Sequence, residues 1–358
     1  MHPITVAGHI CLDVAPSMLG HRGDAHAVSS TPEFWLHPGA LREVGAARVT
    51  LGGAVANTGR ALHDLGAPVS VSTTIGDDIL GRVTRDLIDQ SGFAATSVQV
   101  TSDWSTSYSV VVEPPEADRT FWHHVGANAA FDGTALEPRT GILHVGYPTL
   151  LPRLLEDSGH GLETLLRRAK KGGVTSSVDL AVYDRDSGGA LVDWERVFTS
   201  TAPWTDLLTP SLDDLTSALG IAESYSESLV EELAQRFIDA GVAVVAISSG
   251  RHGLHVRTGS PDRLRRGGAA LAAVADTWAQ HSITRSAIQV RAHATTNGAG
   301  DASTAGFLFG LARGRSLDES TRLAIASAAA VVGGQRPTPT ILTDLDSSLS
   351  SCFEGHVK

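Results

Sequence analysis

Cysteine, aromatic side chains and clustered basic charge are all scarce in this chain of 358 residues. The two cysteines, Cys11 and Cys352, lie far apart, which supplies no disulfide framework and no cysteine-based zinc pattern and fits a reducing cytoplasm. No apolar stretch reaches about 18 residues without a charge, so no membrane span is expected. The opening residues carry no basic leader, and Asp13 interrupts their apolar run. No signal peptide is therefore expected, and the location is read as cytoplasmic. The formal net charge of -11 comes with no basic block to offset it, which argues against nucleic acid as the main partner. The nearest basic run, Arg263, Arg265 and Arg266, is short and reads as a solvated face. Histidines are scattered, with His123-His124 the one adjacent pair, so metal binding through histidine is not expected.

What the chain does have is the rhythm of a doubly wound α/β fold: strand, glycine turn, helix, strand. Ile4 to Ile10 reads as the first strand and Ala54 to Leu65 as a close-packed helix. Val69 to Ile75 is a strand, Ile79 to Ser91 a helix. The same grammar resumes with strands at Ile142 to Val145, Thr175 to Leu180, Leu207-Leu208 and Val242 to Ser248. Helices are expected at Leu150 to Lys171, Leu212 to Ala218, Glu227 to Ala240, Ala302 to Arg313 and Leu317 to Val332. Two stretches break the rhythm. Residues from about Val14 to Val49 are irregular, and Thr106 to Glu113 with Arg119 to Val125 alternates like a β-hairpin. Together, as segments 14–49 and 103–125, they are expected to form a small sheet over one edge of a single domain spanning residues 1–358. Residues 261 to 286 fit no element clearly.

The most informative stretch runs from Thr296 to Gly306: Thr-Asn-Gly-Ala-Gly-Asp-Ala-Ser-Thr-Ala-Gly. Gly298 and Gly300 permit backbone conformations closed to other residues, so successive N–H groups can converge on one point. The helix that follows brings about half a positive charge and unpaired N–H donors to its start. Such a start suits a phosphate. Asp301 beside it reads either as a base for a hydroxyl nucleophile or as a plain helix cap. Further polar residues, Asp13, Asn57, Asp77, Asp179 and Asp214, follow strands, where an open parallel sheet binds ligands. Asp77 and Asp78 read better as a turn and cap.

Five blocks in order resemble those of the ribokinase-type (phosphofructokinase-B) carbohydrate kinase family. They are Gly52 to Gly59, Gly76 to Gly81, Asp118 to Asn128, Ser248 to Gly253 and Asn297 to Gly306. The resemblance implies a ribokinase-like α/β domain with a small β lid, ATP as donor and magnesium. It also implies transfer of the γ-phosphoryl group to a hydroxyl of a sugar or related alcohol. Carried over residue by residue, it makes Asp301 the base, and the backbone of Asn297, Gly298, Ala299 and Gly300 an anion hole. Asp13, Gly52, Gly53 and Asn57 would hold the substrate, while Ser248, Gly250, Gly253 and Asn297 would line the nucleotide site. Asp214 would face the metal.

The sequence departs from the family pattern in two places. Thr295 stands where the family often has Asp. Ser211 and Asp214 replace the Asn and Glu of a motif near magnesium, which puts metal use in question.

Three other readings compete. A nucleoside kinase of the same fold would use the aromatics Phe34, Trp35, Trp104, Tyr108, Phe121 and Trp122 of the lid segments. A non-catalytic ligand-binding regulator would keep the fold but not turn over. A dinucleotide oxidoreductase lacks its glycine fingerprint after the first strand. Exposed lid sheets often pair, so a homodimer through the lid is expected.

Overall fold

The first strand is shorter than its apolar run. In the computed structural model β1 covers Ile4–Gly8, the chain turns at His9 and Ile10, and Cys11–Pro16 (β2) enters a different sheet. The structure describes residues 1–18, 37–41, 43–113, 120–137, 140–185, 192–291 and 294–354. Phe34, Trp35 and the Asp118-Arg119 part of the middle block lie outside these. The remaining strands are β3 (Ala47–Gly52), β4 (Val69–Gly76), β5 (Ala95–Thr101), β6 (Tyr108–Val112), β7 (Thr120–His124) and β8 (Ile142–Gly146). They continue with β9 (Thr175–Asp179), β10 (Leu207–Leu208), β11 (Val244–Ser248), β12 (Leu254–Thr258) and β13 (Ser282–Arg285).

Nine of them form the main sheet in the order β13-β12-β11-β10-β9-β8-β1-β4-β5. From β5 to β11 every pairing is parallel; β12 and β13 close one edge antiparallel. Side chains of a strand alternate between faces, and here both faces are buried. Ile4 and Val6 join one apolar layer with the helices Ala54–Asp64, Ala299–Ala312 and Leu317–Val332. Ala7, Leu143 and Val145 join the other, under the helices Pro152–Lys171, Leu212–Leu219 and Glu227–Ala240. Burial on both sides is why β1, β8, β10 and β11 read as mostly apolar runs. The Ala299–Ala312 helix is apolar on every side and buried from Asp301 onward. Gly306 and Gly310 let it sit against the Leu317–Val332 helix, where an added Cβ would lie 2.4 Å from Leu323 O or Ser320 Oγ.

The small sheet has the order β3-β2-β6-β7. Its register sorts its side chains into two rows. Thr50, Asp13, Ser109 and His123 lie directly opposite one another across the four strands, as do Val49, Val14, Val110 and Trp122 on the other face. The sheet thus begins at Cys11 and includes Gly52, wider than the 14–49 boundary read from the sequence.

Other boundaries moved for local reasons. The Ala299–Ala312 helix starts three residues earlier than expected, with Gly298 in the left-handed region (φ 75) as its N-cap. The Pro152–Lys171 helix is interrupted at Glu156 to Gly159, whose φ and ψ are not helical. Residues 261–286 fold as three short helices, Pro261–Arg265, Gly268–Ala272 and Ala275–Trp278, followed by β13. Trp278 is fully buried there and its indole N–H donates to Arg315 O at 3.0 Å. Arg263 is not on a solvated face: its guanidinium reaches the buried carboxylate of Asp206 at 2.9 Å. No helix among the described residues is long and apolar enough to cross a membrane.

Candidate active site

One large cavity, about 1740 Å³, opens along the carboxyl ends of the parallel strands and under the small sheet. That is where an open α/β sheet is expected to bind ligands. Its wall gathers Asp13, Gly53, Asn57, Asp214, Ser248, Gly250, Gly253, Asn297, Gly298, Ala299, Gly300 and Asp301 from elements spread over the whole chain. Gly52 is the one sequence-derived site residue missing from that lining. It abuts Asp13 instead: a Cβ at Gly52 would lie 2.3 Å from Asp13 Oδ2, so its lack of a side chain makes room for that carboxylate.

Asp301 is not the cap of its helix. The N-cap is Gly298, no side chain caps the first turn, and Asp301 lies within that turn. Its carboxylate is buried and faces other elements. Oδ2 accepts from Asn57 Nδ2 at 3.1 Å and from the Tyr147 hydroxyl at 2.7 Å, while Oδ1 accepts from Thr58 Oγ1 at 2.9 Å. Burial raises its pKa above the usual carboxylate range, opposed by the hydrogen bonds from Tyr147, Thr58 and Asn57. The first-turn N–H groups of the same helix have no intrahelical acceptor, although Ala299 N donates to Thr296 O just before the helix at 3.3 Å. Gly298, Ala299 and Gly300 bring that turn to the cavity wall, so a carboxylate and an uncapped helix start adjoin one space.

Two more aspartates follow neighbouring strands, Asp179 at the end of β9 and Asp214 in the first turn of the helix after β10. Burial followed by the charges of Asp214 and Asp301 pushes Asp179 well above its ordinary value. Asp214 makes a capping box with Ser211: its Oδ2 accepts from Ser211 N at 2.8 Å, and its own N–H donates to Ser211 Oγ at 3.1 Å. Burial raises Asp214 to about 7, with hydrogen bonds from Ser211 opposing. Hard carboxylate oxygens whose charges repel one another suit magnesium. Among the described residues they do not converge into a direct cage. An ion that keeps several of its waters, as magnesium does, fits this spread.

Apolar side chains also line the cavity: Ile288 and Val290, with Ile325, Ala328, Ala329 and Val332 of the Leu317–Val332 helix. Gly253 (φ 95) passes so close to Arg285 O that an added Cβ would lie 2.0 Å from it.

Sequence reasoning missed Tyr147, Thr58, His9 and His123. Tyr147 and His9 directly follow β8 and β1, the strand-end position already used to pick out Asp13 and Asp179. Trp104, Tyr108, Phe121 and Trp122 of the lid are all exposed, and of these Phe121 alone lines the cavity.

Comparison with known proteins agrees with this geometry. The profile of the pfkB family carbohydrate kinases matches residues 25–343. The chain belongs to that family. A ribokinase from Haemophilus influenzae is 25% identical over 320 residues, covering 88% of this chain and 93% of its own. Ribokinase from Thermotoga maritima superposes with a TM-score of 0.67 at 17% identity, covering 96% of this chain and 99% of its own. Arabidopsis thaliana ribokinase, solved with ribose and ATP, gives 0.64 at 18% over 96% and 98%. Phosphofructokinase-2 from Escherichia coli with fructose-6-phosphate gives 0.69 at 18% over 98% and 100%. The ribokinase-like fold expected from the sequence is the fold observed, and this pfkB enzyme is a phosphotransferase with an alcohol group as acceptor.

Proposed function

We propose that this pfkB kinase transfers the γ-phosphoryl group of ATP to a hydroxyl of an unidentified sugar or sugar-like alcohol, with Asp301 as the base. The observation that carries the reading is that the Asp301 carboxylate and the uncapped turn from Gly298 to Gly300 border the same cavity. Phosphoryl transfer needs positioning and charge neutralisation more than covalent help. The Asn297 to Gly300 backbone would meet the charge of the transferring group. Asp301 would take the hydroxyl proton as transfer completes. Asp13, Gly53 and Asn57 would orient the alcohol from the small-sheet side.

At the other end, Ser248, Gly250 and Gly253 would hold the nucleotide, with its base against Ile288, Val290 and Ala329. Asp214, helped by Asp179, would hold magnesium through water; that ion would neutralise phosphate charge. The small sheet would act as a lid, excluding water from the transfer. Its outward row, with Val49 46% and Trp122 50% exposed, would pair two chains.

The test is turnover with ATP, magnesium and a panel of sugars, polyols and nucleosides, using wild type and Asp301→Asn. The variant is expected to keep nucleotide binding, seen as a ligand-dependent rise in melting temperature. It should lose about 10²–10⁴-fold in kcat. A variant that turns over at near the wild-type rate removes Asp301 from the chemistry. Tight binding with no turnover of any alcohol would instead assign the regulator.

A further inference from the structure

Where β1 leaves the main sheet, three side chains converge that phosphoryl transfer does not use. His9 follows β1, Cys11 opens β2 and His123 lies on β7, with His9 and His123 separated by 114 residues. Their candidate ligand atoms all lie within 4.8 Å of one another. His9 Nε2 and His123 Nε2 are 3.2 Å apart. Two nitrogens bound at about 2.0–2.1 Å to one tetrahedral ion would stand about 3.3 Å apart, so the imidazoles are already at that separation.

The surroundings favour a cation over a bare hydrogen-bonded cluster. At most one proton can lie between the two facing nitrogens, so at least one lone pair points inward. Ser109 Oγ sits 3.0 Å from His123 Nδ1 and 3.7 Å from Cys11 Sγ, which orients both from behind as outer partners of metal ligands do. Cys11 Sγ lies 3.3 Å from Asp13 Oδ1, placing a carboxylate beside the cluster. Arg251 is the one lysine or arginine on the cavity wall among the described residues, against Asp13, Asp179, Asp214 and Asp301. Gly53 (φ 84) lets the His9 ring sit close, since a Cβ there would lie 2.4 Å from His9 Nδ1.

We infer that His9, Cys11 and His123 form a binding site for a zinc-class divalent ion, with its open position towards the cavity. Two imidazoles and a thiolate select borderline and soft metals over magnesium or calcium. Three protein ligands with one open position is the arrangement of metal sites that accept an exogenous oxygen. All three residues line the cavity, so a substrate oxygen could complete the coordination. The linear sequence hid the site because its ligands come from both sheets. Its existence does not depend on the phosphoryl-transfer reading.

The test is a cobalt(II) titration of chelator-stripped, reduced protein, followed by absorption. One equivalent is expected to give tetrahedral visible bands and a thiolate-to-cobalt charge-transfer band, both lost when zinc is added. Cys11→Ser should lose the charge-transfer band, and His123→Ala, altered at a partly exposed position, should weaken binding by about tenfold or more. Cys352→Ser should keep the band, excluding the second thiol. Asp301→Asn should keep it too, so loss of turnover and loss of metal are read separately. Circular dichroism confirms that each variant is folded. No saturation at one equivalent, or an unchanged band in folded Cys11→Ser, overturns the site.

Discussion

The hydroxyl of Tyr147 stands 2.7 Å from Asp301 Oδ2, at the end of a residue held in the left-handed region (φ 59). That backbone conformation is rare for a bulky side chain and costs on the order of 1–3 kcal/mol. Burial, followed by the Asp301 carboxylate, pushes the phenol well above its ordinary pKa, so it remains a donor. A hydrogen bond to a charged group contributes about 1.5–3 kcal/mol. Tyr147→Phe removes a donor that favours the carboxylate form, so the Asp301 pKa rises. The acid limb of the kcat/KM profile should move to higher pH by about 1–2 units, from the same energy at 1.36 kcal/mol per unit. An unmoved limb would show that this contact does not bear on the base.

Asp214 gives a stability prediction whose sign is opposite to that of an ordinary surface carboxylate. Its folded pKa, about 7, is raised above the 3.8 reference, so the folded state holds the proton more tightly. Stability is therefore greatest below about pH 4 for this group and declines as pH rises towards about 7. Magnesium binds the ionised form and should offset the decline. Melting temperature across pH 5 to 8 should fall less steeply with magnesium than without, and Asp214→Asn should flatten the magnesium-free curve. Curves that coincide for wild type with and without magnesium would remove Asp214 from metal binding.

Asp206 should be among the costliest residues to lose outside the cavity. Its Oδ1 accepts from Lys170 Nζ at 2.7 Å and Arg263 Nη1 at 2.9 Å, while Oδ2 accepts from Ser176 N at 3.0 Å. Asp206→Ala strands two largely buried cations and is expected to cost about 3–5 kcal/mol. Urea unfolding measures it, and a loss below about 1 kcal/mol would mean that water replaces the carboxylate.

The outward row of the small sheet sets the expected assembly. Trp122→Glu places a charge among Val49, Val14 and Val110 and should convert a dimer to a monomer in light scattering. Unchanged mass would place any contact elsewhere.

The alternation of apolar strands and helices was legible because the central strands are buried on both faces. β5, β12 and β13 were not read, since they lie at or next to the sheet edges and their sequences mix polar with apolar residues. Asp301 stands out in the sequence, but its cap alternative is dismissed only by Gly298 holding the N-cap and by Asn57, Thr58 and Tyr147 holding the carboxylate. The His9–Cys11–His123 cluster left no spacing signal because its members belong to β1's end, β2 and β7. Arg263 looked like surface charge because nothing in a linear run announces a buried Asp206.

The chain passes between its two sheets four times: through His9 and Ile10, through Gly53, and through the stretches 102–107 and 125–141. Asp13, Cys11, Ser109 and His123 ride on the small sheet, whereas His9, Asn57 and Asp301 stay with the large one. Tilting one sheet against the other would therefore carry the whole first set away from the second as a unit. Gripping the alcohol and shutting out the surrounding liquid would be a single mechanical act.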